Sequence, residues 1–300
     1  AGDRSRILQG ANLPMFARRY SKPVALALML LCTLLWSMAG VLTRQLDRSR
    51  SVEVTFWRSA FCIAFVLLAL CLSGGSAALA TLRRPARSLV LSGLMWSVMF
   101  SCFMIALTLT STSNTLIVSS ASPLLTAVLA RVVLRTAIPA STWLAIGIAV
   151  AGMAWIFSGG VSAGSPRDLL GMGIAFGVPL ASAVNVIVFK RSGGTVDLVP
   201  AVCLGAVFSA LAMLPLAWPF QASAHDLAIL AVLGAFQLGL PCMLMVVAAR
   251  SLSAPQLALL GLLEAVLGPL WAWLGAGEVP PAATLQGGCA VIAALLLNEL

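Results

Sequence analysis

Long apolar runs recur along the whole chain, separated by short polar clusters. Each run is about 18 to 22 residues long, which lets an α-helix cross about 30 Å of hydrocarbon. The runs are continuously apolar and lack the alternation of a barrel strand, which favours helices. The sequence therefore predicts ten spans, at residues 24–44, 54–73, 88–108, 114–134, 140–158, 168–190, 198–218, 227–249, 256–275 and 281–298.

Composition agrees with this pattern. Hydrophobic residues make up 61% of the chain and charged residues 9%, and the mean hydropathy of +1.05 lies far outside the range of soluble domains. The net charge of +9 could suggest a nucleic-acid partner. In a membrane protein, however, the distribution of positive charge says more than its sum. We therefore expect a lipid bilayer and a small-molecule substrate as partners, and no nucleic acid.

The positive charges also indicate an orientation. With the N-terminus inside, 13 of the 18 Lys and Arg residues fall in the N-terminal segment or in inside connections. We expect both termini in the cytoplasm of a bacterial cell, with the chain in its cytoplasmic (inner) membrane. Residues 1–23 read as a basic cytoplasmic tail, because they lack the apolar core and cleavage site of a signal peptide.

The chain repeats itself weakly. A shift of 142 residues aligns 90–150 with 232–292 without a gap, and a shift of 146 brings 41–44 onto the last four residues of 186–190. We predict two five-helix repeats, at 24–158 and 159–300. Because five is odd, the second copy crosses the membrane in the opposite sense to the first. Inverted repeats are typical of secondary transporters, whose substrate site lies near the midplane.

Four segments carry a resemblance to a known family. They are LLWSMAGVLTR at 34–44, FWRSAF at 56–61, ALTLTSTSNTLIVSSASPLLTAVLARVVL at 106–134 and AARSLSAPQLALLGLLEAVLGPLWAWLGAGEVP at 248–280. In these segments the chain resembles the ten-helix EamA-type branch of the drug/metabolite transporter superfamily. The resemblance implies an all-α membrane protein with ten transmembrane helices, arranged as two inverted five-helix repeats around a central cavity. It also implies that spans 1 to 4 and 6 to 9 line the cavity, and that small metabolites, often amino acids, are moved outward.

The chain departs from the family pattern at two places. Members of the family usually carry a Gly-Glu pair at the end of the fourth span and a Glu-Pro pair in the ninth. Here the fourth span ends Arg135-Thr136, and the ninth has Glu264-Ala265. The second departure keeps the acid and removes a proline that would perturb the helix. Within the repeat, Ser122 aligns with Glu264 and Thr136 aligns with Glu278.

Glu264 is the strongest functional candidate, because it lies near the middle of the ninth span. A charge at that depth costs about 2.5 to 3.5 kcal/mol on insertion scales, so an intramembrane acid is expected to be functional. Our hypothesis is that Glu264 faces the cavity and either binds a cationic group of the substrate or takes up the coupling proton. The alternative is a structural acid hydrogen-bonded to a neighbouring helix. Glu278, beside a Pro-Pro pair, reads as an interfacial residue without a transport role.

Other polar and aromatic residues inside spans could complete the site. A helix-packing hydrogen bond is the alternative for each polar one, and core packing is the alternative for each tryptophan. The candidates are Ser122, with its neighbours Ser119 and Ser120, Asn114, Asn185, Gln237, Trp36, Trp96 and Trp271. Arg58 could bind a carboxylate or pair with an acid, but its place near the outside end of span 2 favours a side chain that snorkels to the interface.

The remaining function classes are disfavoured by what the sequence lacks. It contains no GxxxxGK[ST] loop, and its one histidine, His225, lies outside any cluster of metal ligands or any Ser-His-acid set. The seven cysteines form no CxxC pair and read as packing residues. We therefore expect no cofactor, metal or enzyme activity. The prediction is a secondary transporter, an exporter of small metabolites and foremost of amino acids. A lipophilic-cation exporter and an uncoupled channel are the alternatives, and the oligomeric state is left open.

Overall fold

The computed structural model describes residues 19–47, 51–83, 85–160, 165–193, 196–276 and 282–299. Within these ranges every regular element is a helix. Nine helices in these ranges are long and apolar enough to cross a membrane, and a shorter apolar helix, Ala282–Asn298, is counted as the tenth span. Their bounds are Lys22–Thr43, Val52–Ser73, Arg87–Leu109, Thr112–Val133, Ala140–Phe157, Pro166–Ser192, Pro200–Ala217, Ala224–Ala248, Ala254–Trp271 and Ala282–Asn298. The predicted all-α membrane fold is confirmed. Glu278 and most of the basic N-terminal segment lie outside the described residues.

The helix that contains span 2 is longer than the span itself. The sequence predicts a span that ends at residue 73, before Gly74 and Gly75, but the helix extends over Ser51–Arg83. Glycine lowers helix propensity by only about 1 kcal/mol, whereas proline costs about 3. The next proline is Pro85, and alanine and leucine, both strong helix formers, fill most of the interval. The helix therefore passes through the glycines.

The packing of the spans has the two-fold pattern of an inverted repeat. Span 1 packs against spans 8 and 9, and its mate, span 6, packs against spans 3 and 4. Span 2 packs against spans 7 and 8, and its mate, span 7, packs against spans 2 and 3. Span 4 packs against span 9, and span 5 packs against span 10. Exchanging the two copies leaves this set of pairs unchanged, as expected for two five-helix repeats related by an axis in the membrane plane.

Several spans are discontinuous. Span 1 is interrupted at Met38 and span 6 at Phe176. Span 4 consists of Thr112–Ser119 and Ser122–Val133, and span 9 of Ala254–Gly261 followed by Leu263–Ala276. Span 8 contains a π-helical segment, Leu233–Gly239. Broken helices near the midplane are the elements from which transporters build substrate sites.

Candidate functional site

A cavity of about 140 Å³ lies between the two repeats. Its lining comes from spans 1, 3, 4, 5, 6, 8 and 9, so all four of the spans that are interrupted contribute to it. The family resemblance implied a lining from spans 1 to 4 and 6 to 9, with span 5 outside. The structure differs in two ways. Met153 of span 5 reaches the cavity, and among the described residues spans 2 and 7, which pack against each other, contribute no lining side chain.

The polar part of the lining consists of one acid and four serines. Glu264 is half-buried and faces the cavity. Within the described residues its carboxylate accepts no hydrogen bond. These residues therefore do not provide the bond to a neighbouring helix that the structural alternative requires. Ser122 donates to Ser182 across spans 4 and 6, with 3.2 Å between the hydroxyl oxygens. Ser119 and Ser120 donate to carbonyls of their own helix.

Methionines make up much of the apolar wall. Four of them reach the cavity from four different spans, namely Met29, Met99, Met153 and Met245. Methionine has three rotatable bonds and a polarizable sulfur, so it adapts to ligands of different shape. Trp36 completes this wall. The cavity therefore has one acidic and hydroxylated side and one adaptable apolar side.

The breaks in spans 4 and 9 bring the polar residues to the cavity. In span 4, Pro123 has no N–H, so the carbonyl of Ser119 loses its helical donor and the helix bends. In span 9, the break at Leu262 follows Gly261, and glycine is the weakest helix former apart from proline. Both breaks are tightened by bonds between residues three apart, such as Ala121 N–H to the Val118 carbonyl and Leu262 N–H to the Leu259 carbonyl.

Arg58 lies close to this site, contrary to the prediction that it snorkels. Its guanidinium donates to the Gln237 side-chain oxygen at 2.6 Å and contacts the Met104 sulfur at 3.7 Å. Gln237 in turn donates to the Trp36 carbonyl at 3.3 Å. Snorkelling was expected from depth alone. The π-helical segment of span 8 instead presents a polar partner to Arg58 inside the protein.

The other predicted tryptophans lie away from the lining. Trp271 donates from its ring nitrogen to the Ser37 hydroxyl at 2.9 Å, which joins spans 9 and 1. Trp96 is fully buried in the core beside Phe100. A Cβ on Gly205 would lie 2.4 Å from the Trp96 Cβ, so span 7 needs glycine at this crossing with span 3. Trp96 therefore has the surroundings of a core-packing residue, which was the alternative to a role in the cavity wall.

The two predicted asparagines also lie outside the cavity lining. Asn185 is 1% exposed and accepts from the Ser92 hydroxyl at 2.7 Å, joining spans 6 and 3. Asn114 donates to the Thr110 hydroxyl at 2.7 Å in the first turn of span 4. In the repeat, Asn114 aligns with Gln256, which forms a capping box with Ser253 at the start of span 9. The structure thus brings together Glu264, Ser122 and Trp36 in the lining, with Gln237 directly behind.

Sequence reasoning missed Ser182 and the four methionines. A serine or methionine inside a span carries little cost in lipid, so neither gives a signal on its own. The signal that could have located the cavity is the alignment of the helix breaks in spans 4 and 9. Ser120 and Leu262, 142 residues apart, mark the depth at which side chains reach the cavity.

An ion pair outside the spans joins the connection before span 7 to the connection before span 9, at one corner of the second repeat. Arg250 donates to the Asp197 carboxylate at 2.9 Å, and the Val199 N–H donates to the same oxygen at 3.1 Å. Burial raises the pKa of Asp197, and the Val199 N–H and the Arg250 charge partly oppose that rise. The Lys190 ammonium donates to the carbonyls of Ala249 and Leu252, which terminates span 8 beside this pair.

Comparison with known proteins adds to this geometry. The sequence profile of the EamA-like transporter family matches residues 23–158 and 169–300, once in each half of the chain. A solved crystal structure of a protein superposes with a TM-score of 0.80 at 17% identity, over 93% of this chain and 98% of that chain, which shows a shared fold. No curated protein matches the sequence. The chain therefore belongs to the EamA-like transporter family and is a multi-pass membrane transporter of small molecules.

Proposed function

We propose that this protein is a secondary transporter, without enzymatic activity, that exports amino acids across the bacterial cytoplasmic membrane by alternating access. Both termini lie in the cytoplasm, and the repeats 24–158 and 159–300 move against each other around the cavity. The observation that carries the proposal is Glu264. It is an ionisable carboxylate, free of protein hydrogen bonds within the described residues, that faces a cavity between inverted repeats.

The lining suits the parts of an amino acid. Glu264 binds the ammonium group, and the hydroxyls of Ser122 and Ser182 can donate to the carboxylate, since a hydroxyl both donates and accepts. The methionine wall accommodates an apolar side chain. A cavity of about 140 Å³ is close to the ~150 Å³ of cavities that hold benzene-sized ligands.

One observation favours a second candidate, the export of lipophilic cations. Among the described lining residues Glu264 is the one ionisable side chain, and most of the wall is apolar. A cation with an apolar body needs only an acid and an adaptable wall, whereas a zwitterion also needs donors for its carboxylate. The two candidates therefore differ in how strongly they depend on the serines.

The test is uptake into proteoliposomes from a panel of labelled amino acids, with and without a pH gradient. The native chain is compared with Glu264→Gln, and Asp47→Asn, an exposed acid outside the spans, is the matched control. We expect saturable uptake that is accelerated by counter-substrate, unchanged in the control and reduced at least about tenfold in Glu264→Gln, equivalent to about 1.4 kcal/mol.

The outcomes separate the candidates. Uptake of tetraphenylphosphonium but of no amino acid would support the lipophilic-cation function. Flux that does not saturate would indicate a channel. Saturable amino-acid uptake with an unchanged rate and pH dependence in Glu264→Gln would remove Glu264 from the mechanism.

A further inference from the structure

Arg58 brings a permanent positive charge into the interior of span 2. Its guanidinium donates to Gln237, and its Nε is buried without a hydrogen-bond partner. A charge at this depth is costly unless it meets a partner. Gln237 is neutral, so it satisfies hydrogen bonds of Arg58 and leaves the charge itself uncompensated.

Glu264 is the acid that supplies the missing charge. Two other buried acids accept hydrogen bonds from backbone groups in the connections between spans. Glu53 accepts from the backbone N–H groups of Gln221 and Ala222, and Asp226 accepts from that of Asp47. Glu264 lines the same cavity as Trp36, and the Trp36 carbonyl accepts from the Gln237 side chain that holds Arg58, so two hydrogen bonds connect Arg58 to the wall of the cavity that Glu264 faces.

Few other titratable groups face Glu264. The thiols of Cys32 on span 1 and Cys242 on span 8 also interact with it and carry no charge in the thiol form. Among the described groups that face Glu264, Arg58 is therefore the cation. No hydrogen bond joins the two charges within the described residues.

Span 8 holds Arg58 in this position. Gln237 belongs to the π-helical segment Leu233–Gly239, and such segments are frequent at functional sites. A Cβ on Gly234 would lie 2.6 Å from the Arg58 carbonyl oxygen, so glycine lets span 8 approach span 2 closely enough for Gln237 to reach the guanidinium. The second amide contact of Gln237, to the Trp36 carbonyl, extends the connection to span 1 and the cavity wall.

We propose that Arg58, held by Gln237, is the resident counter-cation of Glu264, and that the ammonium group of the substrate competes with it for the carboxylate. The inference rests on the proposed function and deepens it. Arg58 is a positioning residue, because it acts through Glu264 and is not part of the cavity lining. In the empty cavity Arg58 compensates Glu264. When substrate or a proton neutralises Glu264, Arg58 loses its partner, and the change reaches spans 8 and 1 through Gln237.

The test compares Arg58→Gln and Arg58→Lys with the native chain in the proteoliposome assay, over a range of pH. Without its counter-cation, Glu264 binds ammonium more tightly and takes up a proton more readily. We expect Arg58→Gln to lower KM and kcat together and to move the pH profile of uptake upward. Arg58→Lys keeps the charge and should keep the native profile. Arg131→Gln removes an exposed charge and is the matched control.

Failure of this inference and failure of the proposed function are distinguishable. If the native chain transports amino acids and Arg58→Gln leaves both KM and the pH profile unchanged, the inference is overturned while the function stands. If the native chain transports none, the function fails and the pairing is decided by thermal unfolding of Arg58→Gln, Glu264→Gln and the double variant. Non-additive Tm changes support the pairing, and additive changes overturn it.

Discussion

Spans 4 and 9 have the same backbone design and differ in the two residues that follow the break. Each begins with a serine N-cap, Ser111 or Ser253, whose hydroxyl accepts from the backbone N–H three residues on. Each is then interrupted at aligned depth and continues as a second helix. After the break span 4 has Ser122-Pro123 and span 9 has Glu264-Ala265. The first copy has a proline that perturbs the helix, and the second has a charge.

The repeat symmetry explains the positions of these residues but not their charges. Inverted repetition explains why both positions face the cavity, since the breaks lie at equivalent depths. It does not explain the charges, because the acid of span 9 has no acidic mate in span 4. The cation of span 2, Arg58, likewise has no basic mate in span 7, Pro200–Ala217. In the pairing that we propose, these two unmatched charges compensate each other, so the two repeats share a backbone arrangement and differ in the charges that they bring to the site.

The largest expected effect comes from exchanging the two side chains. Glu264→Ser makes span 9 resemble span 4 and should reduce amino-acid uptake at least about tenfold, a loss of roughly 1.4 kcal/mol. Adding Ser122→Glu restores an acid at the aligned position of span 4. We expect no recovery in the double variant, because the counter-cation Arg58 interacts with position 264. Ser122→Ala, which removes only the hydroxyl bonded to Ser182, is the comparison for loss of that contact.

Uptake by the double variant at the native rate would show that the two positions are interchangeable. The asymmetry would then have no functional meaning, and the acid could be supplied by either repeat.

A smaller effect is expected at the first turns of the two spans, at the aligned residues Asn114 and Gln256. Asn114→Ala removes a buried hydrogen bond of 2.7 Å to Thr110, and Gln256→Ala opens a capping box. We expect a stability loss of about 1 to 2 kcal/mol for Asn114→Ala and about 1 for Gln256→Ala. Thermal unfolding in detergent measures both, and KM in the uptake assay should stay at the native value. A raised KM in Asn114→Ala without loss of Tm would assign Asn114 to substrate binding.

Asn114 also shows why the sequence predicted the site only in part. A polar residue in a span needs a partner whether it binds substrate or a neighbouring helix, so its presence does not distinguish the two roles. The partners are distant in sequence for Asn185, which meets Ser92, and for Gln237, which meets Arg58. Glu264 was easier to predict, because the cost of a charge at mid-span leaves fewer alternatives.

The fold was more predictable than the site for a physical reason. Span length follows from bilayer thickness, and an odd number of spans per repeat forces inversion, so both can be read from the pattern of apolar runs. The direction of a side chain within a span depends on local helix geometry. Arg58 was predicted to reach the interface, and the π-helical segment of span 8, which no apolar pattern signals, presents Gln237 to it instead.

A stabilising change is expected where span 4 ends. Arg135 has a φ of 54°, in the left-handed region that favours glycine. The aligned residue after span 9 is Gly277. Arg135→Gly removes the steric cost of a side chain in this conformation and should raise stability by about 0.5 to 1 kcal/mol, measured as a higher Tm in detergent.

Arg131→Gly tests the same substitution within the helix of span 4 and should lower Tm, because glycine in a helix interior costs about 1 kcal/mol relative to alanine. A lower Tm in both variants would mean that the Arg135 side chain contributes more than its backbone conformation costs.

The smallest effect concerns the corners that precede the two spans. Before span 9, Arg250 pairs with Asp197; before span 4, the aligned Thr108 offers its carbonyl to Arg167 at 2.9 Å. At the first corner the contact itself includes a carboxylate, that of Asp197. Because burial raises the pKa of Asp197 in the folded protein, its contribution to stability is fully present below the ordinary Asp pKa of about 3.9 and is lost as pH rises through the folded value.

Asp197→Asn should therefore remove part of the fall in Tm of the native chain as pH rises above about 4, with a difference below about 1 kcal/mol because the pair is partly exposed. Arg167→Gln, which removes a contact to a backbone carbonyl and leaves Asp197 in place, should shift Tm by the same amount at every pH. The measurement is Tm between about pH 4 and 6.5 at constant ionic strength, taken as the difference from the native chain. A difference for Asp197→Asn that does not change with pH would mean that the Arg250 charge and the Val199 N–H fully offset the burial of Asp197, and both corners would then be electrostatically alike.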